Sequence, residues 1–202
     1  CYNEVAKAVD ITDKEVVEVG RGRGGGSSYI KGYLKPKTMI GIDYSKNAIQ
    51  FSNNQHKVDG LTFMHGDAEN LSLANESVDA VVNVESSHCY GSMKKFVEQV
   101  HRVLRPGGYV LFADLRPAED IEELDKTFRD VGFEVLKKEL ISKEVVTAMD
   151  AFHEFKLAFF QNMVEGWLRK PLNDFAGVKG SNIHTEFSNG TMVYYHYVLR
   201  KG

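Results

Sequence analysis

Glu15-Val16-Val17-Glu18-Val19-Gly20-Arg21-Gly22-Arg23-Gly24-Gly25-Gly26 is the stretch from which the rest of the chain is best read. Three valines in five residues predict a short strand. The glycines directly behind it permit a sharp turn into a helix, because residues without Cβ take positive φ and let a ligand come close to the backbone. The helix N-terminus that follows offers free N–H groups and a partial positive charge. Such a turn can hold a pyrophosphate or the carboxylate of an amino acid. Two spacings are met at once: Gly20, Gly22 and Gly25 fit the dinucleotide pattern G-x-G-x-x-G, while Gly20, Gly22 and Gly24 fit G-x-G-x-G. A tight turn without a ligand is the third reading open at this point.

Outward from the turn, β-rich runs alternate with amphipathic stretches, the signature of βαβ units and a mostly parallel sheet. Ser27 to Leu34 reads as a helix stopped by Lys35-Pro36, and Thr38 to Asp43 as a second strand. Ser45 can cap a helix running to about Val58, with Ile49 on its apolar face. Leu61–His65 and Val78–Val84 are the next strands, and Met93–Leu104 carries Phe96, Val97, Val100, Val103 and Leu104 at helical spacing. Arg105-Pro106-Gly107-Gly108 reads as a turn into a strand at Tyr109–Ala113. Beyond it come a helix from Ala118 to Val131, a strand from Phe133 to Ile141, and a long helical stretch from Ser142 to Trp167. Residues 168–190 look loop-like, being rich in Gly, Asn and Ser, and Thr191–Leu199 (TMVYYHYVL) reads as a last, antiparallel strand. The expected fold is therefore α/β: a Rossmann-like, seven-stranded, mostly parallel sheet with helices on both faces and an antiparallel last strand. One domain over residues 1–202 is expected.

Two further segments narrow the ligand. Asp43 ends the second strand, where an acidic side chain can accept both ribose hydroxyls of an adenosine cofactor. Gly66-Asp67-Ala68-Glu69-Asn70-Leu71 follows the third strand, and Val100–Asp114 (VHRVLRPGGYVLFAD) supplies a helix, a Pro-Gly-Gly reversal and a strand. With these segments in order from Val16 to Asp114, the chain resembles the class I methyltransferases. That resemblance implies S-adenosylmethionine (SAM) as cofactor, S-adenosylhomocysteine as product, and adenine recognition by Asp67. It implies cofactor contacts from Glu18, Gly20, Gly22, Gly24, Asp43, Tyr44, Asp67, Ala68 and Asn83.

A closer resemblance is to the small-molecule branch with sterol, tocopherol and quinone methyltransferases, and within it to bacterial O-methyltransferases of lipid and polyketide products, such as the phthiotriolone type. Asn83-Val84-Glu85-Ser86-Ser87-His88-Cys89-Tyr90 carries it, as do Asp174-Phe175-Ala176-Gly177-Val178-Lys179-Gly180-Ser181 and Val198-Leu199-Arg200-Lys201. The end of the fourth strand faces the transferred methyl in this architecture, so His88 is the candidate catalytic base: a hydroxyl must lose its proton as it attacks. The alternative is a histidine that packs beside the cofactor while alignment alone drives transfer. Glu85 either orients the site or is a buried structural carboxylate. Met149, Phe152, Phe159, Met163 and Trp167 either line an apolar acceptor pocket or form core, and residues 142–190 are expected to cover the substrate. His184, Tyr194 and His196 read as surface or sheet packing.

Arg21 departs from the resembled pattern, which has a small or acidic residue between the first two glycines. Its guanidinium can pair with the carboxylate of SAM, fill the methionine end of the pocket, or turn to solvent. The second option makes the chain a catalytically impaired SAM-fold binding protein with a closed cofactor pocket, the alternative to an active enzyme.

Composition limits the remaining classes. Hydrophobic residues at 43% and charged residues at 26% are those of a folded globular chain. A net charge of −3 lacks the basic surplus of a nucleic-acid binder. Two cysteines, Cys1 and Cys89, are too few for a disulfide framework or a cysteine zinc site, and the seven histidines show no metal-ligand spacing. No apolar run is long enough to span a bilayer, so a cytoplasmic protein with at most transient lipid contact is expected. The expected partner is a small apolar or aromatic acceptor, with the chain a monomer or homodimer and its N-terminus truncated.

Overall fold

The computed structural model describes residues 2–151 and 181–202. Its elements are α1 (Tyr2–Ala6), β1 (Glu15–Val19), α2 (Gly25–Tyr29) continuing as a π-turn (Ile30–Leu34), β2 (Thr38–Asp43), α3 (Lys46–Gln55), β3 (Leu61–His65) and β4 (Val78–Val84). A 3₁₀ turn (Ser87–Cys89), α4 (Met93–Val103), β5 (Leu104–Pro117), α5 (Ile121–Val131), β6 (Phe133–Leu140), α6 (Ser142–Ala151), α7 (Asn182–Asn189) and β7 (Met192–Lys201) follow.

The strands form one sheet in the order β3-β2-β1-β4-β5-β7-β6, parallel from β3 to β5 and antiparallel at β7. Six of the seven residues of β4 are buried, as expected for a central parallel strand covered on both faces. The chain crosses from the β3 edge back to β4 beside β1. That crossing makes the carboxyl ends of β1 and β4 the switch point where α/β sheets hold ligands.

Contacts divide the chain into two units. The larger comprises residues 1–114, 122–138 and 196–202, and the smaller 115–121 and 139–195. In the larger, α4 buries Phe96, Val97, Val100 and Val103, four residues of the stripe expected from the sequence, while the fifth, Leu104, opens β5; the helix starts at Ser92, whose hydroxyl accepts from Lys95 N at 3.3 Å. Phe112, Phe128 and Tyr197 meet edge to face, with centroids 5.3–5.9 Å apart. In the smaller unit, Ile141 N donates to Tyr194 O, Tyr194 is buried, and His184 Nε2 lies 3.1 Å from Asp150 Oδ1.

Three sequence expectations are corrected. The Arg105–Gly108 turn lies inside β5 as a bulge: Leu104 pairs with Val78 and Tyr109 with Ala80. Arg105 fastens it by bridging Asp79 (2.9 Å) and Glu15 (2.5 Å). α3 stops at Gln55 rather than near Val58, and Gly60 at φ +72° turns the chain into β3. Within 168–190, residues 182–189 are helix. The Ser181 hydroxyl caps it and Gly190 closes it at φ +79°, so small polar residues that suggested a loop are helix caps. Residues 152–180, including Phe152, Phe159, Met163, Trp167 and Asp174–Gly180, lie outside the described residues.

Candidate functional site

Gly20, Gly22 and Gly24 all take left-handed backbone (φ +73°, +56° and +80°), whereas Gly25 already opens α2. The geometry thus follows the G-x-G-x-G spacing. Gly20 has no room for a side chain: a Cβ there would lie 2.3 Å from Ser86 Oγ and 2.5 Å from the Tyr90 hydroxyl. Gly22, by contrast, faces open space.

Two carboxylates flank this loop. Glu18, 1% exposed, accepts a hydrogen bond from Ser27 Oγ on one oxygen. Its other oxygen is buried without a well-formed hydrogen bond, the Tyr2 phenol lying against it. Burial pushes the carboxyl up to about 7, opposed by Ser27, Tyr2 and the charge of Arg21. Asp43, at the end of β2, accepts from Gly22 N and Ser45 N, each at 2.8 Å. A carboxylate oxygen has two lone pairs, so these amides leave it capacity for further donors.

Tyr44 is 75% exposed beyond β2, its ring 6.0 Å from that of His65. Asp67 is exposed after β3, with Oδ1 accepting from Glu69 N at 2.8 Å, and Ala68 is half-buried beside it. Glu69 Oε1 accepts from Ser92 N at 2.9 Å, fixing this loop to the start of α4. Asn83 is fully buried and donates to Val19 O and Ser86 Oγ, both at 2.9 Å, with the Tyr90 hydroxyl at 3.0 Å. Its Oδ1 is buried with no hydrogen bond among the described residues.

His88 stands in the 3₁₀ turn after β4. Its Nδ1 lies 2.7 Å from Asp114 Oδ1, and its own N–H donates to Asp114 Oδ2 at 3.0 Å. Ser87 Oγ donates to the same Oδ2 at 2.6 Å. A carboxylate accepting from Nδ1–H selects the tautomer in which Nε2 holds the lone pair. The imidazole is one-third exposed and the carboxylate wholly buried, so the ring is fixed on one edge and reachable on the other. Glu85 is exposed, not buried, and takes φ +52°, where the chain leaves β4.

Arg21 does not turn to solvent: it is 3% exposed. Its stem crosses Gly41 of β2, its guanidinium sits 4.2 Å over the Phe63 ring, and Nη1 reaches Ser52 Oγ at 2.5 Å and Gly22 O at 3.1 Å. It therefore lies beneath the loop, between β2, β3 and α3.

The site brings together Glu18, Asp43, Asn83 and the three glycines at the switch point, with His88 on the adjoining turn. Sequence reasoning missed Asp114, Ser27 and Tyr2. The signal for Asp114 was partial: it ends the quoted VLFAD segment, but only the β4–β5 pairing of Val84 with Ala113 places it beside the His88 turn.

A family model described as a methyltransferase domain matches residues 17–112. The phthiotriol/phenolphthiotriol dimycocerosates methyltransferase of Mycobacterium leprae is 34% identical over 200 residues, 99% of this chain and 74% of that protein. The fatty-acid O-methyltransferase of Mycolicibacterium smegmatis is 42% identical over 149 residues, 74% of this chain and 54% of that protein. Among solved structures, a putative sarcosine dimethylglycine methyltransferase from Galdieria sulphuraria superposes with a TM-score of 0.82 at 12% identity, over 100% of this chain and 85% of that one, a likeness of fold.

Proposed function

The chain belongs to the class I SAM-dependent methyltransferase family, and from that premise we propose that it methylates a hydroxyl group of an apolar, lipid-like acceptor with His88 as general base. The observation that carries this reading is the His88–Asp114 pair: a one-third exposed imidazole whose Nδ1 is held at 2.7 Å by a wholly buried carboxylate.

The residues at the switch point fit SAM on their own chemistry. The Glu18 oxygen that lacks a well-formed hydrogen bond suits an ammonium group, Asp43 suits vicinal hydroxyls, and the open backbone at Gly22 admits a ligand at close range. Asp67, Ala68 and Tyr44 would border the adenine, and Asn83 would support the loop from below. When bound, SAM supplies an electrophilic methyl on a sulfonium sulfur.

The chain's own work is positional and protolytic. Asp114 holds the ring, Nε2 of His88 takes the hydroxyl proton as the oxygen attacks, and the imidazolium that forms is stabilised by the same carboxylate. The acceptor class follows from the relatives, one named for phthiotriol dimycocerosates and one for fatty acids. The fatty-acid relative also supports a second reading, an ionised carboxylate as acceptor, which has no proton to remove.

The test is to incubate the protein with SAM and a matched pair of long-chain substrates, one alcohol and one fatty acid, and to follow S-adenosylhomocysteine and methylated product by mass spectrometry. Methyl ether formation that falls about 10²–10⁴-fold in His88→Asn, with SAM affinity retained, supports the proposal. Ester formation indifferent to that substitution would favour the carboxylate reading. No product from either acceptor, despite SAM binding, would return the closed or impaired site to consideration. The position of Arg21 beneath the loop argues against that closure.

A further inference from the structure

Gly22 is gripped from both sides. Its N–H donates to Asp43 at 2.8 Å, and its carbonyl accepts from Arg21 Nη1 at 3.1 Å. The same Nη1 reaches Ser52 Oγ at 2.5 Å, and Ser52 in turn donates to Ala48 O at 2.8 Å within α3. One side chain thus ties the middle of the glycine loop to the helix whose N-cap, Ser45, also leans on Asp43.

Room for this arrangement is cut into the neighbouring strands. Glu18, Gly41 and Phe63 sit side by side across β1, β2 and β3. A Cβ on Gly41 would lie 2.2 Å from Arg21 Cδ and 2.8 Å from both Phe63 Cδ1 and Ser27 Oγ, so glycine at the centre of that row makes room first for the arginine stem and then for the ring and hydroxyl beside it. Gly24 is cut back in the same way: a Cβ there would meet Arg21 Nη1 at 2.8 Å and Ser52 Oγ at 2.9 Å. Phe63 provides the floor as a cation–π platform.

The arginine is held at a cost that packing alone does not explain. Its Nε and Nη2 are buried without a hydrogen bond among the described residues, and leaving charged donors unpaired in the interior is destabilising. The opposite charges that act on it are Asp43 and Glu18, the two carboxylates of the candidate cofactor site.

We propose that Arg21 is a positioning residue for cofactor binding, which acts from beneath the loop by fixing Gly22 against Asp43, and that Gly41 is the slot that lets it do so. The inference rests on reading the loop as the SAM site. It makes a departure from the resembled sequence pattern into a working part of that site. Arg21 touches neither cofactor nor acceptor; it sets the loop and the orientation of the Asp43 carboxylate, so its influence falls on cofactor affinity and not on the chemical step.

Calorimetric titration of SAM and S-adenosylhomocysteine, with steady-state kinetics, tests this in the wild type, Arg21→Met, Arg21→Lys, Gly41→Ala, Arg21→Ala and the Arg21→Ala/Gly41→Ala pair. Arg21→Met keeps the stem and removes the donors. It is expected to raise the Kd and KM for SAM about 10–100-fold, with kcat at saturating SAM and the KM for acceptor within a few-fold of wild type. Arg21→Lys should recover part of the loss. Gly41→Ala should weaken SAM binding on its own and weaken it less in the Arg21→Ala background, because the tightest of its clashes, at 2.2 Å, needs the arginine stem. Unchanged or tighter SAM binding by folded Arg21→Met would overturn the inference and leave the cofactor reading intact. Failure of the wild type to bind SAM would overturn both. If Arg21→Met does not fold, the Gly41→Ala result and the Arg21→Lys rescue decide: additive losses of affinity, or full affinity in Gly41→Ala, refute the slot.

Discussion

Glu18 in β1 and Asp114 in β5 are both carboxylates buried to 1–2% exposure, on the two strands that flank β4, and their surroundings differ in one respect. Asp114 receives Ser87 Oγ, the amide of His88 and the His88 ring, so its charge is met within the chain. Glu18 has Ser27 on one oxygen, and its second oxygen has the Tyr2 phenol against it without a well-formed hydrogen bond. A buried carboxylate with its donors in place is a fixed support, while one left short of donors is tuned by whatever ligand supplies the missing charge. On the proposed reading, the contrast would give Asp114 to the chemical step and Glu18 to cofactor recognition.

The largest effect should come from Asp114→Asn. An amide there can present its N–H₂ to Nδ1 and select the wrong tautomer, placing the proton on Nε2. We expect kcat to fall about 10²–10⁴-fold with SAM affinity unchanged, measured by single-turnover kinetics beside calorimetry. A change of only a few-fold in kcat would break the comparison, since the support would then be supporting nothing catalytic.

A smaller effect, near tenfold, tests Glu18. Its folded carboxyl titrates near 7 against an ordinary value of 4.5 because burial disfavours the charge. Between those values the folded form keeps a proton that the unfolded chain releases, so stability is present below the window, falls as pH rises through it, and levels off above about 7. The span corresponds to something on the order of 3 kcal/mol. A cationic ligand group beside Glu18 favours the ionised form, so SAM binding should release a proton and weaken roughly tenfold from pH 8 to pH 6. Titration in two buffers of different ionisation enthalpy reads the proton, and Glu18→Gln should flatten the profile. A proton count of zero in the wild type would remove Glu18 from the cofactor contact.

The same contrast explains what could be read ahead of the structure. Strand positions, the three-glycine spacing and the His88 turn are local signals, written in runs of valine and in residues without Cβ. The partners of those residues are not local. Asp114 meets His88 because β4 and β5 lie parallel with Val84 beside Ala113, a pairing that no spacing of 26 residues announces. Arg21 left three readings open in the sequence because the gap that houses it, Gly41, belongs to another strand. Helix α7 was obscured in a different way: its serine and glycine caps carry the same composition as a loop. Asn83 was found through resemblance, whereas its hydrogen bond to Val19 O depends on β1–β4 adjacency.

The smallest expected effect belongs to Tyr90→Phe, which separates packing from proton transfer in this shared network. The Tyr90 hydroxyl is 3.0 Å from both Asn83 Nδ2 and Ser86 Oγ, and its ring packs edge-on against Phe96 at 4.9 Å. Burial raises the phenol to about 12, which keeps it protonated at neutral pH and makes it a poor base. Asn83 has only two amide hydrogens, and Val19 O and Ser86 Oγ suffice to accept them, so the phenol can be removed without orphaning the amide. The ring contact survives the substitution. We therefore expect a loss of stability below about 1 kcal/mol and a change in kcat of no more than a few-fold, read by thermal melting and initial rates. A fall beyond about 100-fold with the fold intact would mean that the hydroxyl beside Gly20, and not the imidazole held by Asp114, handles the proton, and the division of labour between the two carboxylates would have to be redrawn around it.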